Sequence, residues 1–148
     1  MKTTTCGVLV TDGARLLLGH ATHSQRWDVP KGIAEAGEEF ASAAARELRE
    51  ETGLEAAPSA FVPLGIHRYL SGKDLALFEW RLAALPDPTT LHCASHFVFN
   101  KKLLPEFDRF GLFDWSDATS RVGRNMARVL ASLKDRQNLP AKPLAGPI

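Results

Sequence analysis

The chain has 148 residues, 45% of them apolar and 24% charged, with a formal net charge of +1. These values describe a globular chain with one sizeable core and exclude a disordered or fibrous protein. The balanced charge leaves no strong nucleic-acid signal, and no apolar run reaches the length needed to span a membrane.

Thr3 to Val10 is β-rich and predicts a first strand. Asp12-Gly13 is a hairpin signal, with Arg15 to Gly19 as the partner strand. His20 to Gly37 reads as a loop punctuated by Pro30, Gly32 and Gly37, with His20 and His23 on the surface. A helix is expected from about Glu38 to Thr52, stopped by Gly53, with Glu38 and Glu39 at the positive end of its dipole. Phe61 to Leu70 and Leu75 to Leu82 predict two strands around a turn at Ser71 to Asp74. Pro86-Asp87-Pro88 reads as a linker, Leu91 to Phe99 as a strand and Phe110 to Trp115 as a short one. Ser116 or Asp117 is the expected cap of a last helix reaching about Asp135. This order predicts an α/β or α+β fold, a mixed sheet between helices, with residues 1–138 as one domain and 139–148 as a flexible tail. The N-terminal apolar run is too short for a secretion signal, so a cytoplasmic location is expected. Cys6 and Cys93 sit in strand-like stretches without ligand spacing and are expected to be buried free thiols.

The chemistry concentrates on the first predicted helix. At about 100° per residue, Glu47, Glu50 and Glu51 share an arc roughly 100° wide beside the apolar Ala44 and Leu48. Like charges at this spacing repel, more so when partly buried. Arg46 can pair with Glu50, while Arg49 points away. The remaining negative charge suits a hard divalent cation with oxygen ligands, Mg2+ or Mn2+, although the same spacing also fits a solvated acidic face. Ahead of the helix, Trp27-Asp28-Val29-Pro30-Lys31-Gly32 is a restricted loop where Gly32 permits close approach and Lys31 offers a positive charge to phosphate.

The stretch from Gly32 through Glu38 to Arg46-Glu47-Leu48-Arg49-Glu50-Glu51-Thr52-Gly53-Leu54 resembles a complete Nudix box. The resemblance implies an α/β/α Nudix sandwich and a metal-dependent hydrolase that cuts the diphosphate bond of a nucleoside diphosphate linked to another group. It implies metal binding by Glu50 and Glu51, with Glu47 as a further ligand or the general base, help from the Gly32 carbonyl, and Glu38 as a supporting ligand. Arg46 is expected to hold a glutamate in place. The base in this family also comes from later loops, which makes Glu106 and Asp108 candidates behind Glu47. Arg26 and Lys31 are candidate phosphate contacts, and Tyr69, Phe78 and Phe97 candidate pocket walls. Trp27, Trp80 and Trp115 read as packing residues.

The string Trp-x-x-Pro-Lys-Gly is similar to that region in dinucleoside polyphosphate hydrolases, so a nucleoside or dinucleoside polyphosphate is the expected substrate. ADP-ribose or a nucleotide sugar is the alternative, and a non-catalytic nucleotide-binding regulator the competing class. A homodimer is a common assembly in the family.

Overall fold

A computed structural model describes residues 2–137. The predicted tail at 139–148 lies outside the described residues, as does the last position of the predicted domain. Strands β1 (Thr3–Thr11), β2 (Arg15–Ala21), β3 (Trp27–Asp28) and β4 (Lys31–Ile33) precede helix α1 (Phe40–Thr52). Strands β5 (Val62–Leu70), β6 (Lys73–Arg81), β7 (His96–Phe99), β8 (Lys102–Pro105) and β9 (Phe107–Asp114) follow, then helices α2 (Trp115–Arg121) and α3 (Arg124–Gln137). A seven-stranded mixed sheet runs β3-β2-β1-β6-β5, with β4 paired to β1 and β9 to β2. β1 and β6 are parallel, and their neighbours are antiparallel. β7 and β8 form a separate two-stranded ribbon.

Alternation along the central strands builds two cores. Leu9, Leu16, Leu18, Leu75 and Leu77 face α2 and α3, packing on Trp115, Met126, Val129 and Leu130. Cys6, Val8, Val10, Leu17, Ala76 and Phe78 face the other way, onto Ala43, Ala44 and Leu48 of α1. Period-two strands between period-3.6 helices thus give three layers, as the order of elements predicts. No helix among the described residues is long and apolar enough to cross a membrane.

Several local expectations change. The loop at His20 to Gly37 contains β3 and β4, because β1 and β2 are long enough to pair with further segments. His20 is buried in β2, not on the surface, and its Nδ1 meets Asp108 Oδ1 at 2.8 Å. Glu38 lies outside α1, which starts at Phe40 with Glu39 as an N-cap that makes no side-chain bond. Instead Glu38 accepts the Glu35 N–H at 2.9 Å and pairs with Arg46 two turns away. The strand predicted at Leu91 to Phe99 shrinks to β7, and Cys93 sits in the coil before it. The last helix is two helices parted at Val122-Gly123, and its cap is Asp114, whose carboxylate accepts the Asp117 N–H at 2.9 Å. Both cysteines are buried free thiols as expected.

Candidate active site

Gly53 ends α1 at φ 83°, where its N–H donates to the Arg49 carbonyl at 2.9 Å. This left-handed cap suits glycine because it has no Cβ to clash. The helix therefore presents a fixed face toward β4. Glu47 and Glu51 on that face are buried at 9% and 4% exposure, while Glu50 stays half-exposed. The predicted arc does lie at the edge of the packed surface.

Arg46 organises the outer carboxylates. Its guanidinium grips Glu38 through two bonds, Nε to Oε2 at 2.8 Å and Nη2 to Oε1 at 2.9 Å. Its Nη1 donates to Glu47 Oε2 at 2.7 Å. The predicted Arg46–Glu50 contact is the longest, at 3.4 Å, because Glu38 and Glu47 take the better directions. The Glu38 hydrogen bond chiefly raises the Arg46 pKa, and the same bond pulls Glu38 down to about 2. Glu47 moves the other way: burial raises it, against the opposing pull of Arg46.

Gly32 on β4 faces Glu47 at contact distance. A Cβ there would overlap the Glu47 carboxyl carbon and both its oxygens. The next carboxyl, Glu51, accepts the Lys31 backbone N–H at 3.0 Å and is hydrogen-bonded to Glu106. Burial, then the Glu106 carboxyl, raises Glu51 to about 9. Glu106 reaches this point from the β8–β9 junction, where Thr22 donates its N–H to the Glu106 carbonyl at 3.1 Å.

A cavity of about 240 Å³ opens here, lined by Thr22, Asp28, Lys31, Glu51, Phe97 and Glu106. The Thr22 hydroxyl is the one buried side-chain polar atom without a partner among the described residues. Lys31 Nζ lies 2.7 Å from Asp28 Oδ2. Burial lowers the Lys31 ammonium most, but Asp28, Tyr69 and Glu51 together outweigh it and the net shift is upward. Lys31 is therefore charged and already engaged.

The structure thus brings together Gly32, Glu38, Arg46, Glu47, Glu50, Glu51, Lys31 and Glu106. Asp108 is not among them, being paired to His20 and Arg109 on β9. Arg26 lines a neighbouring cleft with Tyr69, while Phe78 belongs to the core rather than a pocket wall. Among the described residues, no three acidic, histidine or cysteine side chains already converge on one ion-sized point. The donor set nevertheless suits a hard divalent cation. Buried carboxyls outnumber the single arginine, and a cation could offset the charge of the remaining ones. Sequence reasoning missed Asp28 and Thr22 as cavity residues; a signal for Asp28 was its i,i+3 spacing to Lys31.

A family model of the NUDIX domain matches residues 1–89. An uncharacterised 17.7 kDa protein from the e–segB intergenic region of Enterobacteria phage T4 is 33% identical over 146 residues, spanning 90% of this chain and 96% of that protein. The crystal structure of a C. elegans Ap4A hydrolase binary complex is similar with a TM-score of 0.62 and 19% identity, over 90% of this chain and 96% of that one. The E. coli dihydroneopterin triphosphate pyrophosphohydrolase gives 0.64 and 16%, over 90% and 95%. At these identities the two structures speak to the fold.

Proposed function

The chain belongs to the Nudix family of pyrophosphohydrolases, and on that premise we propose a magnesium-dependent enzyme that hydrolyses the diphosphate bond of a nucleoside or dinucleoside polyphosphate. The observation that carries this reading is the row of carboxyls from Glu38 to Glu51, packed on Gly32 and closed by Glu106 across a cavity that also holds Lys31. Such a row suits divalent metal held against phosphate oxygens.

Glu47, Glu50 and Glu51, with the Gly32 carbonyl, would hold the metal, and Glu38 would support them through Arg46. Bound there, the metal would neutralise charge developing on the diphosphate. Arg46 keeps the glutamates oriented. Lys31, itself steadied by Asp28, faces the cavity with a full positive charge for a phosphate oxygen. We assign the general base to Glu106 ahead of Glu47. Glu106 lines the cavity, whereas Glu47 is tied to Arg46 and packed on Gly32. A base must reach the water it activates, so access decides the ranking. The substrate class is supported by the named activities of the Ap4A hydrolase and the dihydroneopterin triphosphate enzyme. The two free thiols fit a reducing, cytoplasmic compartment.

The test is phosphate and nucleotide release with magnesium over a panel of nucleoside triphosphates, dinucleoside polyphosphates, ADP-ribose and nucleotide sugars. Wild type should turn over the polyphosphates best, and Glu51→Gln should lose about a hundredfold or more in kcat. Identical rates for wild type and Glu51→Gln on every substrate would overturn the proposal.

A further inference from the structure

Beside the carboxylate cavity the fold assembles a second feature from residues far apart in sequence. Asp28 lines that cavity and also a cleft of about 410 Å³ with Arg26 and Arg124. That cleft shares Tyr69, Leu70 and Asn125 with a further groove of about 640 Å³. The groove lies between the β5–β6 hairpin and α3, and is lined by Lys2, Arg68, Lys73 and Arg128. The groove and the cleft thus adjoin along Tyr69, Leu70 and Asn125, and the cleft meets the carboxylate cavity at Asp28.

The charge along the cleft and the groove is one-sided. The cleft and the groove are lined by two acids, both already matched, Asp28 by Lys31 at 2.7 Å and Asp74 by Lys2 at 3.5 Å. No carboxylate among the described residues pairs with Arg26, Arg68, Lys73, Arg124 or Arg128. Arg128 Nη2 donates to the Arg68 carbonyl at 2.9 Å, which ties the helix wall to the hairpin wall. Guanidinium groups present planar forks that match phosphate oxygens, and unpaired ones give up no ion pair when an anion arrives. A chain with a net charge of only +1 has thus placed a run of cations, without carboxylate partners among the described residues, along a cleft and an adjoining groove beside its acidic cluster.

We infer that this groove binds the non-reacting arm of the substrate and selects arms that carry further phosphates over arms that end in a sugar. It rests on the proposed hydrolase activity only for whose arm is bound; the anion site itself stands on the groove.

The test begins with calorimetric titration of inorganic tripolyphosphate into the full chain in EDTA, where the metal-free carboxylates repel the probe. Wild type should bind, and added salt should weaken binding. Arg68→Ala/Arg124→Ala/Arg128→Ala should bind about tenfold or more weakly. Arg68→Lys/Arg128→Lys keeps the charge and guards against misfolding; it should bind more tightly than the alanine variant. Displacement of the probe by a dinucleoside tetraphosphate assigns the groove to a polyphosphate bridge, and displacement by a 5′-phosphorylated tetranucleotide to a phosphodiester arm. With magnesium, the alanine variant should lose about tenfold in kcat/KM for the displacing ligand relative to ADP-ribose, through KM. Unchanged tripolyphosphate binding in the alanine variant, or displacement by neither ligand, overturns the inference. Tripolyphosphate binding with no turnover of any nucleotide removes the hydrolase reading and leaves the anion site.

Discussion

Gly32 is where one added methyl group acts most directly on the carboxylates. The Cβ of an alanine would occupy the space of the Glu47 carboxyl, so Glu47 must leave its place beside Arg46. Displacing a group at a reacting centre by an ångström costs about a hundredfold. Gly32→Ala should therefore lower kcat by about that factor while circular dichroism stays native; a kcat within about twofold of wild type would remove Glu47 from the site. The base assignment is tested in the same way. Loss of a general base typically costs 10²- to 10⁴-fold, and Glu106→Gln should fall in about that range with metal binding retained. If Glu47→Gln shows the larger loss, the role passes to Glu47. The box glutamates were legible in the sequence because a single helix carries them at a spacing that puts them on one face. Glu106 was legible only as a candidate, since the distance from Glu51 to Glu106 along the chain conceals their contact. The unpartnered Thr22 hydroxyl was invisible, because the cavity that surrounds it is a product of the fold.

At the scale of elements, α1 works as a rod with two faces. Ala43, Ala44 and Leu48 anchor it on the sheet, and the adjoining face carries the acids. Arg46 is the cross-brace between this rod and the loop before it, bonding Glu38, Glu47, Glu50 and the Ile33 carbonyl. A lysine cannot copy this, because one ammonium lacks the planar fork that holds Glu38 through two bonds. Arg46→Lys should cost about 1–3 kcal/mol in urea unfolding, the usual value of hydrogen bonds to charged groups. It should also lower kcat, because the glutamates lose their common support. Unchanged stability and kcat would show that the brace is idle. The end of α1 at Gly53 and the central strands were readable from cap and period, and Leu75 to Phe78 alternate between the two cores as the pattern demands, whereas the start of α1 falls at Phe40 and not at Glu38. The C-terminal half was harder. Apolar residues from Leu91 to Phe99 resemble a buried strand, but Phe99 and Val98 are exposed on a ribbon outside the main sheet. The break at Val122-Gly123 was hidden because Val122, Met126 and Val129 keep helical spacing across it.

On the proposed metal-dependent reading, the acidic cluster would couple protonation, metal and stability across the whole molecule. Burial and Glu106 raise Glu51 from 4.5 to about 9 in the folded, metal-free chain. Between those values the folded state keeps a proton that the unfolded chain has released. Proton linkage then makes stability fall as pH rises: the contribution is complete below 4.5 and lost through about 9. A divalent metal bound as proposed would compete for the same carboxyls, so it should be held off at low pH and favoured as the proton leaves. Melting curves in EDTA should therefore fall from pH 6 to pH 9, and magnesium should restore more at pH 9 than at pH 6. At a hundred times its dissociation constant, magnesium would add about 2.7 kcal/mol, or on the order of 5–10 °C for a domain of this size. Glu51→Gln removes the titrating group, so its EDTA curves should flatten and its magnesium shift shrink. A magnesium shift equal in wild type and Glu51→Gln at both pH values would place the metal elsewhere. A wild-type melting point that rises toward pH 9 in EDTA would mean that Glu51 is not the group that sets the balance.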